Sequence, residues 1–332
     1  MQCPRINHFV RLNPDGKVSR CGHMVNPPRF DSLEEMNASQ WQQSIKDKFD
    51  IDEFPAECIR CAETERMNQS SIRMNDIRYQ ELQTKSDYLI VGGVLDNVCN
   101  SACQTCNPNC STKIGSLYDK EYTIVDNSNK FWSLPLDRIT HLDINGGEPS
   151  ASKNYRNVLA NLPPNVQSIR INTNCSLVIP ELEQLVARGV KVTVTVSFDG
   201  VRDYHDYLRW PIKWDKFYSN LMTYKEMNLH ELNLWTTVSV LNICNLLEIE
   251  SFVKEHNFKH SYALLHSPEV LSIKNVNGLT QRAIDKLGDH IISQFVAVDK
   301  SNIMELEQYI SMQDRLRGID IAQDYPRVYY GE

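Results

Sequence analysis

The run Cys99-Asn-Ser-Ala-Cys103-Gln-Thr-Cys106 constrains this chain more than any other stretch. It follows directly on an apolar segment, Tyr88 to Leu95. Three thiols this close cannot pair off as disulfides without a remainder. They suit three irons of a cubane [4Fe–4S] cluster, with the fourth iron left without a protein ligand. An open metal position is where a substrate or cofactor binds, the feature that separates catalytic from structural sites. Further on, Asn145-Gly146-Gly147-Glu148-Pro149 again closes an apolar segment, Ile139 to Ile144. Gly146 and Gly147 carry no Cβ, so they allow backbone to approach a ligand.

Seven of the ten cysteines fall into two such sets. The second lies at the front. His8 to Leu12 and Lys17 to Arg20 flank Asn13-Pro14-Asp15-Gly16, which reads as a hairpin. Cys3 precedes the first strand and Cys21 ends the second, so the hairpin brings them together. A helical stretch, Ser32 to Lys48, leads to Cys58-Ile-Arg-Cys61. Two pairs make four ligands, and both tetrahedral zinc and a fully ligated [4Fe–4S] cluster fit them. On ligand count alone zinc is the commoner solution.

The chain has 332 residues, enough for one large domain and a small one. Clustered cysteines without a secretory h-region read as metal ligands, not as a disulfide framework, and point to the cytoplasm. No apolar run reaches membrane-spanning length. A net charge of −7 argues against non-specific nucleic-acid binding.

β-branched runs alternate with helical ones through the middle of the chain. The expected strands are Tyr88–Leu95, Ile139–Ile144, Val166–Ile171, Val190–Ser197, Leu232–Val240 and Lys259–Leu265. Helices are expected at Ser111–Asp119, Lys153–Ala160, Pro180–Arg188, Trp214–Met227 and Leu246–Glu255, with Thr280–Val298 and Ile303–Leu316 beyond them. Gly189 is placed to cap the third of these. Such alternation predicts an α/β fold with a parallel sheet and right-handed crossovers. Chemistry then gathers at the carboxyl ends of the strands, where every polar motif of this chain falls.

The cysteine triad with its Gly-Gly-Glu-Pro partner resembles the radical S-adenosylmethionine (radical SAM) superfamily. That resemblance implies a partial (β/α)6 barrel over 85–270 and a C-terminal helical extension over 271–332. It implies that Cys99, Cys103 and Cys106 hold a [4Fe–4S] cluster whose open iron chelates SAM. Gly146, Gly147 and Glu148 would contact the SAM amino group, with Glu148 pairing its ammonium. Ser197, Arg209 and Asn242, after the fourth and fifth strands, would reach the ribose, methionyl carboxylate or adenine. No clear GxIxGxxE adenine motif follows the fifth strand.

The pattern of Cys3, Gly16, Cys21 and Cys58-x-x-Cys61 resembles the twitch domain, a shortened relative of the SPASM domain. Here it precedes the barrel, over 1–80, as in a group of bacterial and phage twitch-domain radical SAM proteins. Glu57 to Glu65, Ser71-Ile-Arg73-Met-Asn75 and Cys106-Asn-Pro-Asn-Cys110-Ser111 resemble that group too. The resemblance implies a second, auxiliary [4Fe–4S] cluster on Cys3, Cys21, Cys58 and Cys61. It implies an enzyme that generates a 5′-deoxyadenosyl radical for hydrogen abstraction, and an external one-electron reductant such as a flavodoxin or ferredoxin. The substrate stays open: a small molecule, sugar, nucleotide or peptide. The rival is a non-catalytic two-cluster protein for electron transfer or redox sensing, which would have no need of a SAM amino-group site.

Other residues read more plainly. Cys175 is expected to be a buried small residue rather than a radical relay. His141 is expected to be structural. Glu63 and Glu65 read as solvated helix residues, with a supporting role beside Cys61 as the alternative. Cys110 is either a loop residue or a thiol serving the cluster. Tyr204, His205, Tyr207 and Trp210 either line a pocket or cover the barrel.

Anaerobically reconstituted protein should hold about eight irons per chain if both sites take cubanes, and about four after joint replacement of Cys99, Cys103 and Cys106. Stoichiometric zinc retained by that triple variant would identify the N-terminal set as a zinc site.

Overall fold

The computed structural model describes residues 1–81, 87–118, 121–273 and 303–330. The chain opens with a short helix, α1 (Pro4–His8), whose proline sits at the helix start where no N–H is needed. β1 (Phe9–Leu12) follows, and a turn through Gly16, at φ +78°, returns the chain as β2 (Val18–Ser19). The expected helical stretch Ser32–Lys48 is two helices, α2 (Leu33–Ala38) and α3 (Gln40–Asp50). Ser39 divides them: its hydroxyl accepts the N–H of Gln42 and caps a new helix. α4 (Ile59–Arg66) and α5 (Ile72–Glu81) complete the N-terminal part.

A strict alternation then begins. β3 (Leu89–Val94), α6 (Thr112–Leu117), α7 (Ser128–Trp132), β4 (Ile139–Asn145) and α8 (Lys153–Ala160) lead to β5 (Ser168–Thr173). α9 (Glu181–Ala187), β6 (Lys191–Ser197), α10 (Asp203–Leu208) and α11 (Trp214–Glu226) lead to β7 (Glu231–Val238), α12 (Leu246–Glu255) and β8 (Lys259–Leu264). Gly189, at φ +81°, ends α9 as expected. Its N–H reaches Val186 O and that of Val190 reaches Leu185 O, the paired bonds of a Schellman cap. α13 (Ile303–Arg317), α14 (Ile321–Asp324) and α15 (Pro326–Tyr330) follow. The helix expected at Thr280–Val298 lies outside the described residues.

The described strands form one sheet in the order β2-β1-β3-β4-β5-β6-β7-β8. Only β1 and β2 run antiparallel; every other pair is parallel. The six strands expected from sequence are β3 to β8, each within two residues of its expected bounds. The hairpin was expected to belong to a small domain of its own. Instead β1 extends the same sheet, with Phe9 opposite Ile90 and Leu12 opposite Gly93.

Successive side chains of a strand point to opposite faces. On one face Leu142, Ile144, Ile169, Ile171, Val192, Val194, Val196 and Leu234 are buried in a single core with side chains of α8, α9, α11 and α12. On the other, Asp143, Asn145, Arg170, Asn172, Thr193, Thr195 and Ser197 stay partly or fully exposed. A parallel sheet covered on both faces would show continuous apolar strands. This one keeps a polar face, and that face borders a cavity shared with the N-terminal segment. Among the described residues no helix is long and apolar enough to cross a membrane.

Gly93 marks where the hairpin docks. At φ +100° it has a conformation that side chains disfavour, and a Cβ there would lie 2.2 Å from Leu12 O and 2.8 Å from Leu12 N. Neither is a side chain that could swing away. Gly93→Ala should therefore cost at least about 1–3 kcal/mol of stability, read from the midpoint of urea unfolding. An unchanged midpoint would mean that β1 does not pack on β3 this closely.

Candidate metal and cofactor centre

The cysteine loop leaves the carboxyl end of β3 and is held along its whole length. The N–H of Cys99 donates to Thr112 Oγ1 at 3.1 Å, and Ser111 Oγ donates to Ser101 O at 2.7 Å. From the other side, Ala102 N–H reaches Trp210 O at 2.7 Å and Gln104 N–H reaches Leu208 O at 3.0 Å. α13 closes over the top. Arg317 donates to Ala102 O at 2.9 Å and Cys103 O at 3.2 Å, and Tyr309 donates its hydroxyl to Gln104 O at 3.3 Å. Nothing in the motif itself signals these C-terminal partners.

Ser101 was not foreseen either. Its hydroxyl lies 3.3 Å from Cys99 Sγ and 3.4 Å from Cys103 Sγ. Burial, then the neighbouring Cys103, push the Cys99 thiol up from its ordinary value. Cys106 is pushed well up, first by its hydrogen bond to Cys110 and then by burial. Cys110 is exposed, and its bond with Cys106 draws it down to about 6. Cys110 thus touches the triad through Cys106.

The Gly-Gly-Glu-Pro loop lies directly against the cysteine loop. Gly146 and Gly147 take φ of +93° and +56°, and a Cβ on Gly147 would lie 2.6 Å from Val98 O and 3.0 Å from Asp96 O. Glu148 N–H donates to Val98 O at 2.7 Å. The close approach that Gly147 permits is thus to the segment entering the cysteine loop, where the sequence suggested a ligand.

Glu148 is 1 % exposed. Its carboxylate accepts from Ser150 N at 3.0 Å, Ser150 Oγ and Thr173 Oγ1 at 2.7 Å, and Asn174 N at 2.5 Å. Burial pushes its carboxyl up, and these donors pull against that. A carboxylate has about four lone-pair sites. Glu148 thus forms an internal latch that joins the ends of β4 and β5. Asn174 continues the latch, with Nδ2 donating to Asn100 Oδ1 and Ser101 Oγ at 3.0 and 3.1 Å.

The residues expected after β6 and β7 divide. Ser197 lines the open polar face. Arg209 turns toward the cysteines: Nη1 donates to Cys103 Sγ at 3.5 Å, while Nη2 pairs with Asp199 Oδ2 at 2.5 Å. Burial opposes its charge, but Asp199 and then Cys103 outweigh burial and push it above its ordinary value. Asn242 is 1 % exposed and folded inward. It donates to Asp199 O at 2.9 Å and Thr237 O at 3.0 Å and accepts from Ser239 N at 2.8 Å. Cys175 is fully buried in the core, in line with the packing role expected of it.

In the N-terminal set, Cys3, Cys21, Cys58 and Cys61 all line one small cavity with Arg5, Arg73 and His23. Donors face the sulfurs. Cys21 Sγ has His23 N–H at 3.4 Å and Arg5 Nη1 at 3.9 Å. Cys3 has the N–H groups of Arg5 and Ile6, and Cys61 that of Arg73. Burial, then Cys21, push Cys3 up to about 12; burial likewise raises Cys58 and Cys61. Buried thiols ringed by N–H donors and guanidinium groups suit thiolates bound to metal. Among the described residues no three His, Cys, Asp or Glu side chains converge as ligands of one ion. A cubane makes a different demand, since each iron takes its own cysteine and the sulfurs stand around a cluster, not a point.

Between this segment and the sheet lies a cavity of about 540 Å³. Arg5, Arg11 and His23 form one wall and Asp143, Arg170 and Trp235 belong to the other. Arg5 and His23 line the cysteine cavity as well, so the two spaces share a wall.

No protein-family model matches the chain, and no curated protein matches it. Solved structures show a distant likeness. SuiB of Streptococcus suis bound to precursor peptide SuiA is 13% identical over 92% of this chain and 74% of its own, with a TM-score of 0.43. SuiB bound to S-adenosylmethionine gives 13%, 89%, 71% and 0.44. Native anSMEcpe with bound AdoMet gives 16%, 65%, 64% and 0.45. Likenesses this low carry no argument about the activity of this chain.

Glu148→Gln would place an amide N–H₂ among groups that all donate. It should cost about 1–3 kcal/mol of stability and loosen the cysteine loop, so that the iron bound by the triad falls. Urea unfolding and an iron assay read the two effects. Wild-type values of both would show that the latch holds nothing.

Proposed function

We propose that this chain is a radical SAM enzyme with a second, auxiliary iron–sulfur site. The observation that carries the reading is the backbone contact between its two motifs, Glu148 N–H to Val98 O at 2.7 Å. An electron carrier has no use for a Gly-Gly-Glu-Pro loop pressed against the segment that enters its cysteine loop. We read β3 to β8 as the partial (β/α)6 barrel and the N-terminal residues as a twitch-like auxiliary-cluster segment.

A cubane held by Cys99, Cys103 and Cys106, with one iron open to SAM, would supply the electron that cleaves the sulfonium bond. The chain's own residues do the rest. Ser101 and Arg209 donate toward the cysteine sulfurs. Glu148, Thr173 and Asn174 keep the loops after β4 and β5 in register with the cysteine loop. Arg317 and Tyr309 hold that loop's carbonyls from above. The cavity over the polar face takes the substrate. Its shared wall with Cys3, Cys21, Cys58 and Cys61 sets an auxiliary cluster beside that substrate, where it can accept or relay a later electron.

Reduced, reconstituted protein incubated with SAM should release 5′-deoxyadenosine. Replacing Cys58 and Cys61 with serine should halve the bound iron yet spare this cleavage. Iron at both sites with no 5′-deoxyadenosine would favour the electron-transfer or redox-sensing alternative. Loss of cleavage in the serine variant, with the triad's iron intact, would contradict the division of labour between the two sites.

A further inference from the structure

Two of the residues expected at SAM form part of a chain that ends on a cysteine. Asn242 Nδ2 holds the carbonyl of Asp199 at 2.9 Å. The carboxylate of Asp199 is fixed at Oδ1 by Thr237 N–H at 2.8 Å and at Oδ2 by Arg209 Nη2 at 2.5 Å. The other fork of Arg209 points at Cys103 Sγ, 3.5 Å away. The ion pair is nearly shut off from water, with side-chain exposures of 12 % for Arg209 and 3 % for Asp199. Arg209 Nε is buried with no protein partner among the described residues. A buried guanidinium with a donor still open, beside thiols that we read as cluster ligands, is arranged for more negative charge than one carboxylate supplies.

We propose that Arg209, oriented by Asp199, sets the reduction potential of the cluster on Cys99, Cys103 and Cys106. The inference rests on the radical SAM reading of that site. Adding an electron makes a cluster more negative, so a cation donating to a ligand sulfur stabilises the reduced form and raises the potential. Asp199 acts in the opposite sense. It holds the Nη2 fork while Nη1 faces Cys103 Sγ, so the cation, not the carboxylate, is the group in contact with that sulfur. Low dielectric and burial keep the pair from being screened. Arg209 is thus a positioning and tuning residue, and the sulfur of Cys103 is what it touches. This geometry sets the guanidinium on a cluster ligand, in place of the methionyl carboxylate that its position after β6 suggested.

The two members of the pair should move the potential in opposite directions. Arg209→Gln removes the cation and keeps an amide near the sulfur. It should make reduction harder by roughly tenfold, a fall of about 59 mV for a one-electron couple. Asp199→Asn keeps the acceptor for Thr237 N–H and removes the opposing negative charge. It should raise the potential. The measurement is a redox titration of the reconstituted cluster without SAM, followed by electron paramagnetic resonance, with iron content checked in each variant. A merely structural role would lower iron content or shift both variants the same way, and either result overturns the proposal. So does an unchanged potential in Arg209→Gln accompanied by weakened SAM binding, which would return Arg209 to the SAM carboxylate. Failure of the wild-type protein to assemble a reducible cluster, or to cleave SAM, tests the underlying reading separately.

Discussion

A Cβ on Gly147 would lie 2.6 Å from the carbonyl oxygen of Val98, and there is no side chain whose movement could relieve that contact. The bare backbone at this point lets the loop after β4 lie against the loop after β3. The N–H of Glu148 then finds Val98 O, and the Glu148 carboxylate falls where Ser150, Thr173 and Asn174 can donate to it. Asn174 in turn reaches Asn100 and Ser101, so the ends of β4 and β5 are both tied to the cysteine loop that leaves β3. Buried polar groups cost free energy unless they are paired, and a network offsets that cost only when nearly every member is satisfied. This one satisfies nearly all of them and holds the cysteine loop against the loops after β4 and β5.

The second constraint is the two-sided character of the sheet. Apolar side chains on one face bury against the helices, and the polar face remains to border a cavity. The N-terminal hairpin closes one side of that space by adding β1 to the sheet, which requires Gly93 at β3. Docking the hairpin there brings Gly22 and His23, next to Cys21, to the cavity wall. The distance between the two cysteine sets is therefore a property of the sheet. Strand pairing, not a linker, sets the N-terminal cysteines beside the cavity that the polar face borders.

α13 and the 208–210 segment supply what neither motif contains. Arg317, Tyr309, Leu208 and Trp210 hold the backbone of Ala102 to Gln104 from two directions. Arg209 sits between these supports with its guanidinium on Cys103. The cysteine loop is short and has little core of its own, so its shape comes from distant parts of the chain.

The sequence alone determined a good deal. The triad and the Gly-Gly-Glu-Pro run were legible because ligand spacing and glycine requirements are local. The six parallel strands were legible because buried strands leave apolar, β-branched runs that alternate with helical stretches. α8 and α12 matched their expected bounds, and Gly189 announced its cap. The short helices α1 and α10 and the break at Ser39 were not foreseen, since they turn on single caps and on tertiary contacts. The same holds for side-chain roles. Glu148 and Asn242 were expected at a ligand from their positions, and the folded chain adds hydrogen bonds from each to protein groups, some near in sequence and some far. Only the folded chain decides whether a buried carboxylate meets protein donors or a bound ammonium, because that choice depends on which loops stand within about 3 Å of it. Local chemistry named the residues, and long-range packing assigned what each of them touches.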